Sequence, residues 1–249
     1  MARQKGIIKL RGTIGDLNFY ESQDGMMARE KGSIDAKRIA SDPAFIRTRE
    51  NGAEFGSSAY AGKVLRSAIY SMLQTASDNR VVSRLTKLMS EIKNLDATSV
   101  RGKRNVGVAI ALASAKAKLK GFNFNNRAIL GSILANAYSV NTGTGVITIN
   151  GLIPLDEIAY PQGATHVTIK GAWARVDFVS GTNQVFLSNA VNLPIDSTST
   201  NVILTPTGTP TGPGTDIYLL QIEFFQLVNT IQYSLKNGAH NVLAIVEVS

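Results

Sequence analysis

The sequence predicts an α+β fold: an N-terminal β-meander and helical region followed by a C-terminal antiparallel β-sandwich. Three observations carry that prediction. Turn signals separate short apolar runs near the start of the chain. From about residue 34 to 120, apolar residues recur at three- and four-residue steps. Beyond Phe124 the chain becomes rich in Val, Ile, Thr, Asn and Gly, and strand-like runs alternate with turns. The expected segments are a meander over residues 1–32, a basic helical region over 33–127 and a sandwich over 128–249.

In the meander, Ile7, Ile8 and Leu10 lead into the turn around Gly12 and Gly15. Leu17, Phe19 and Tyr20 follow, then the hairpin signal Gln23-Asp24-Gly25 and a strand from Met26 to Glu30. A meander of this size does not hold itself together in water, so it needs a packing partner in its own chain or in a neighbouring copy. Asp42-Pro43 starts a helix, the carboxylate accepting from free N–H groups and proline suiting the first turn. Small residues crowd 52–62, where backbones can approach closely, and Val64, Leu65, Ile69, Met72 and Leu73 supply an apolar stripe. Asp78 is expected to cap the clearest helix, with Val81, Val82, Leu85, Leu88, Met89, Ile92 and Leu95 recurring at three- and four-residue steps. A third helix is expected from about Asn105 to Lys120, with Gly121 ending it.

In the second half, strands are expected over 145–150, 166–170, 174–179, 183–187, 202–205, 217–225, 231–235 and 242–248. The Pro/Gly-rich run 205–216 reads as an exposed hairpin loop.

Composition narrows the function. With 44% hydrophobic residues the chain has material for a core. The absence of cysteine removes disulfides, thiolate nucleophiles and cysteine zinc sites. The longest apolar run, 106–115, falls well short of the roughly 20 residues that span a bilayer. No secretory signal is legible, and the expectation is a soluble, cytoplasmic product. His166 and His240 lack metal-ligand spacing, and no Gly-x-Ser-x-Gly elbow or phosphate-binding glycine loop is present. Asp156-Glu157 reads as a loop or cap, because sequence neighbours point apart. No enzyme, cofactor or metal is expected.

The net charge of +8 is unevenly divided. Residues 1–127 hold 23 Lys and Arg against 11 Asp and Glu, whereas 128–249 hold 3 against 7. One half attracts polyanions and the other does not. Arg101, Lys103, Arg104, Lys116, Lys118, Lys120 and Arg127 cluster around the third helix, with Phe122 and Phe124 interleaved. They form a candidate nucleic-acid contact, weighed against a solvated helix with its phenylalanines in the core. The stretch DPAFIRTRENGAEFG mixes signs and suits a structural clamp, within the chain or between copies, built from Phe45, Arg47, Arg49, Glu50 and Glu54. Arg47, Glu50 and Glu54 share one helical stripe, and the Arg49 fork suits a carboxylate or backbone carbonyl.

The stretches MARQKGIIKLRGTIGD, DPAFIRTRENGAEFG, AYSVNTGTGVITI, YPQGATHV, VNLPIDSTS and YSLKNGAHNVLAIVEV resemble a family of basic proteins of Bacteroidetes-type bacteria and their mobile elements. No activity is attached to that family, so the resemblance carries over no functional residue.

The favoured reading is a non-enzymatic structural subunit that self-assembles into a homo-oligomeric shell, tube or filament of phage-like kind. The alternative is a nucleic-acid-binding or packaging protein using the basic half. Its partners would be copies of itself and nucleic acid, with no membrane span. A third reading, a carbohydrate- or protein-binding module, rests on Trp173 and the 205–216 loop.

Overall fold

Residues 2–32, 34–235 and 238–249 are described by a computed structural model, and they divide into two units, 1–51 and 52–249.

In the first unit, β1 (Ala2–Arg3), β2 (Gly12–Ile14), β3 (Leu17–Ser22) and β4 (Gly25–Glu30) form an antiparallel sheet in the order β1-β4-β3-β2. The β3–β4 hairpin turns through Gln23 and Asp24 as expected, with Gly25 at φ +105° in a region L side chains avoid. Residues 7–10, expected as a strand, are not one. The Gln4 side chain closes a loop instead, its Oε1 accepting from the Leu10 N–H at 2.9 Å and its Nε2 donating to the Leu10 carbonyl at 3.2 Å. Ile7 is left fully solvated and Ile8 largely so. Helix α1 (Ala36–Ser41), capped by Asp35, and a 3-10 turn (Pro43–Phe45) complete this unit and lead into α2 (Ile46–Ala68). No described residue from 2 to 51 is buried.

The second unit has three layers. Its helical layer contains the rest of α2, then α3 (Tyr70–Leu73), α4 (Val81–Lys93), α5 (Val106–Ala109) and α6 (Ala113–Leu119). Most of the α4 stripe read from the sequence is the buried face, with Leu85, Met89 and Ile92 fully enclosed, but Val82 stands 52% exposed. Asp78, expected as the cap, accepts from the Arg80 N–H two residues on, and Arg80 occupies the cap position. The expected third helix is two short ones. Asn105 Oδ1 accepts from the Val108 N–H to start α5, and Gly121 at φ +82° follows α6.

After α7 (Leu130–Ile133) come β5 (Tyr138–Val140), β6 (Ile147–Leu152), α8 (Pro154–Glu157), β7 (His166–Val176), β8 (Asn183–Pro194), β9 (Thr200–Leu204), β10 (Thr215–Val228), β11 (Ile231–Ser234) and β12 (Val242–Val248). Strands β11-β10-β7-β8, with β12 also on β10, make the central antiparallel sheet; β5-β6-β9 make a smaller one. The two strands expected over 166–179 are one continuous β7, carried through a register shift between Lys170 and Ala172. The run 205–216 is not a hairpin loop. It crosses from β9 in the small sheet to β10 in the large one, exposed over most of its length with Pro210 buried. Of the turn read at Lys236-Asn237-Gly238, the first two residues lie outside the described residues.

The inner strands of the central sheet, β7, β10 and β12, are buried on both faces, whereas β8 and β11 are largely exposed; this is why β10 reads as the near-continuous apolar run IYLLQIEFF. Ala172, Ala174, Ile217, Leu219, Leu243 and Ile245 face the helices. Trp173, Tyr218, Leu220, Ile222 and Phe224 face the opposite way, onto Ile147, Ile149, Val202 and Leu204 of the small sheet. Two cores therefore share one sheet, each fully buried aliphatic or aromatic side chain contributing about 1.5–3 kcal/mol.

Candidate functional site

The charged stretch that suggested a clamp separates into two structures. In the first unit, Asp42 Oδ1 accepts from the Ala44 N–H at 2.9 Å and its Oδ2 from Arg38 Nε at 3.0 Å, and these contacts lower its pKa. Arg47 pairs with Glu50 at 2.9 Å, one turn along the helix. Arg49 Nη1 donates to the carbonyls of Ile39 (2.8 Å) and Asp42 (2.9 Å), fastening the end of α1 to the start of α2. Phe45 lies under the Arg38 guanidinium, 5.7 Å from ring centre to Cζ.

Glu54 does not join that stripe. It is buried in the second unit, where its carboxylate accepts from Arg104 Nε and Nη2 and the Gly102 N–H, all at 2.8 Å, and from Lys93 Nζ. The Arg104 guanidinium, aided by Lys93 and Gly102 against the cost of burial, holds its pKa at about 2. Beside it, burial works against ionisation of Asp96. Hydrogen bonds from Ser99, Asn105 and Thr98 outweigh that and keep its carboxyl far below the usual range. Together the two acids fasten residues 96–105 onto α2 and α4. A carboxylate with four donors in place has no position open for a substrate.

This hub takes Arg104 out of the candidate nucleic-acid contact. Among the other members, Lys118 approaches Glu91 at 3.8 Å and Lys120 bonds Glu247 at 2.6 Å. Lys116 lines a cleft with Asp177 and Thr215, and Arg127 lines another with Asp78 and Asn125. Arg101 and Lys103 lie on the exposed loop before α5. Phe122 and Phe124 form no stacking surface. Their segment hydrogen-bonds along β12, which turns Phe124 fully inward and leaves Phe122 partly buried, edge-on to it at 5.1 Å and beneath Arg84.

The remaining candidates have local roles. Trp173 is 2% exposed, its Nε1 donating to Asp216 at 2.8 Å, so it offers no sugar platform. Gly145, at φ +73°, lies so close that a Cβ there would come within 2.4 Å of the indole. Glu157 accepts from Asn136 Nδ2 at 2.9 Å and from the Ile153 N–H at 2.8 Å, a cap on α8. His166 Nδ1 lies 3.0 Å from Thr165 Oγ1; His240 is edge-on to Phe224, its Nδ1 buried without a hydrogen bond. Among the described residues, no three acidic or histidine side chains gather as a metal site. No described helix is long and apolar enough to cross a membrane.

One feature escaped the sequence reading. Lys63, Arg66, Ser67, Tyr70, Leu73, Gln74 and Ser77 line a cleft of about 360 Å³ along α2 and α3. Arg66 is half-buried, its Nη1 curled back over Gly62 and enclosed without a hydrogen-bond partner. Burial lowers its pKa. The only sequence signal is a polar row at three- and four-residue steps beside the apolar stripe of α2.

No protein-family model, curated protein or solved structure matches the chain.

Proposed function

We propose that this chain is a structural subunit that assembles with copies of itself, and that residues 2–51 carry the contact. The observation behind this reading is that the four-stranded sheet and α1 enclose no buried side chain, while Ile7, Ile8, Ile14 and Leu17 stand exposed. A four-stranded sheet needs apolar cover to be stable in water. A second copy suits the role, because residues 128–249 are net negative while 1–51, with ten Lys and Arg against seven Asp and Glu, are net positive. Contacts between such unlike patches close into rings or continue as filaments.

Light scattering behind size exclusion, at low and high salt, tests this. The full chain should run as a uniform particle of many times 26.7 kDa at both salts. A variant lacking residues 1–32 should stay folded and run as a much smaller species. A full-length monomer at both salts overturns the reading.

A second reading, nucleic-acid packaging, is favoured by charge. Residues 52–127 hold 13 Lys and Arg against 4 Asp and Glu, on the helical side of the central sheet. Absorbance at 260 and 280 nm on the same particle checks for bound polynucleotide.

A further inference from the structure

We infer that the cleft along α2 and α3 binds single-stranded nucleic acid, with Arg66 and Lys63 holding a backbone phosphate and Tyr70 stacking on a base. Most buried or half-buried cations elsewhere in this unit meet an acid: Lys93 and Arg104 at Glu54, Arg84 at Asp78, Lys170 at Glu223 and Arg175 at Asp216, with half-buried Lys116 close to Asp177 only as a lining residue of the cleft those two share. Arg66 breaks that pattern. It is withdrawn from water, one of its nitrogens makes no hydrogen bond, and no carboxylate lines its cleft. A buried donor without an acceptor is unfavourable, and a phosphate oxygen in the cleft supplies the acceptor once the guanidinium turns from Gly62 towards it.

The other lining residues fit the rest of a nucleotide. Lys63, one turn away and exposed, forms no ion pair among the described residues and adds a second positive charge. The Ser67 hydroxyl and Gln74 amide offer neutral hydrogen bonds. Tyr70 is 64% exposed beside the buried Leu73, so it presents an aromatic face over an apolar floor. Such a face accepts any base, because every base has a π-surface. A lone inorganic anion would leave Tyr70 and Leu73 unused. The site is also continuous with more surface: Ser77 lines both this cleft and the next, where Asn79 and Arg127 stand with Asp78, whose carboxylate is already held by Arg84 and the Asn126 N–H, so a strand leaving Arg66 meets a further cation.

The inference does not depend on self-assembly. Its test is fluorescence anisotropy of labelled oligothymidylate with the full chain, titrated between about 50 and 200 mM salt. Arg66→Ala should weaken binding about tenfold at low salt and make the log–log salt slope shallower by about 0.7, the value of one single-strand phosphate contact. Lys63→Ala should shift the slope in the same sense. Tyr70→Ala should weaken binding at least fivefold, by roughly the value of one stacked base, and leave the slope unchanged. Circular-dichroism melts confirm folding. Lys63 and Tyr70 are exposed, so those two variants decide the matter should Arg66→Ala misfold. Wild-type affinity and slope in the Lys63 and Tyr70 variants would overturn the inference. So would inorganic phosphate or thymidine monophosphate competing as well as the strand at equal phosphate concentration, because the cleft would then serve a small anion.

Discussion

Residues 52–249 enclose Leu65, Leu85, Leu119, Tyr218 and Leu219 completely around one sheet, whereas residues 2–51 leave Ile7, Ile8, Ile14 and Leu17 at the surface. Charge follows the same division. The larger unit buries Glu54 and Asp96 and saturates both with donors, while the smaller one pairs Arg11 with Glu21 in the open and exposed Arg47 with half-buried Glu50. A chain built this way carries its stability in one part and leaves the other dependent on what it meets. Thermal melting of the chain should report almost entirely on residues 52–249.

The largest effect should come from the shared sheet. Leu219→Ala should cost about 3–5 kcal/mol. At this size that lowers Tm by roughly 10 °C by calorimetry. Ile8→Ala, the matching change in the small unit, should leave Tm within about 2 °C, since surface substitutions stay within about 0.5 kcal/mol. An equal loss from both would erase the contrast.

Next is the Glu54 hub. Its carboxyl titrates near 2 in the folded chain against 4.5 unperturbed, so the charged form is favoured by folding. That contribution, on the order of 3 kcal/mol, is complete above about pH 4.5 and is lost as pH falls towards 2. Urea melts at pH 6 and pH 3 should show it, and Glu54→Gln should lower stability at pH 6 while flattening the acid-side fall. An unchanged fall in the variant would place the acid sensitivity elsewhere, with Asp96 the next group to replace.

Smaller effects belong to the small unit. Arg49→Ala frees two carbonyls at the end of α1 and should cost about 1 kcal/mol locally. Hydrogen exchange at Ile39 and Asp42 should speed up while the amides of β10 stay protected. Arg47→Ala should change stability by no more than about 0.5 kcal/mol, the range for an exposed pair one turn apart on a helix.

The sequence made the layers visible and hid their partnerships. Helix α4 was legible because Val81, Leu85, Met89 and Ile92 repeat with the helical period and lie on the face that is buried. The strands of the second half were legible from β-branched runs between turns, but β7 looked like two because Gly171 and Ala172 interrupt the pattern where its register shifts. Glu54 looked like a partner for Arg47 on its own helix; its actual partners stand 39 and 50 residues further along the chain. Ion pairs at that separation leave no periodic trace. Arg66 is the converse case, for nothing local distinguishes a solvated arginine from one that the fold encloses without an acid.

Strand β10 has a mechanical consequence. It is hydrogen-bonded to β7 from Thr215–Val176 through Phe225–His166, and it holds β11 and β12 as well. Because its side chains alternate between the helices and the small sheet, a tug on either outer layer arrives at the same strand. Tension applied along its axis loads the whole β7 ladder in shear, so its rungs give way together instead of unzipping one by one. A chain under load would therefore yield last along β10.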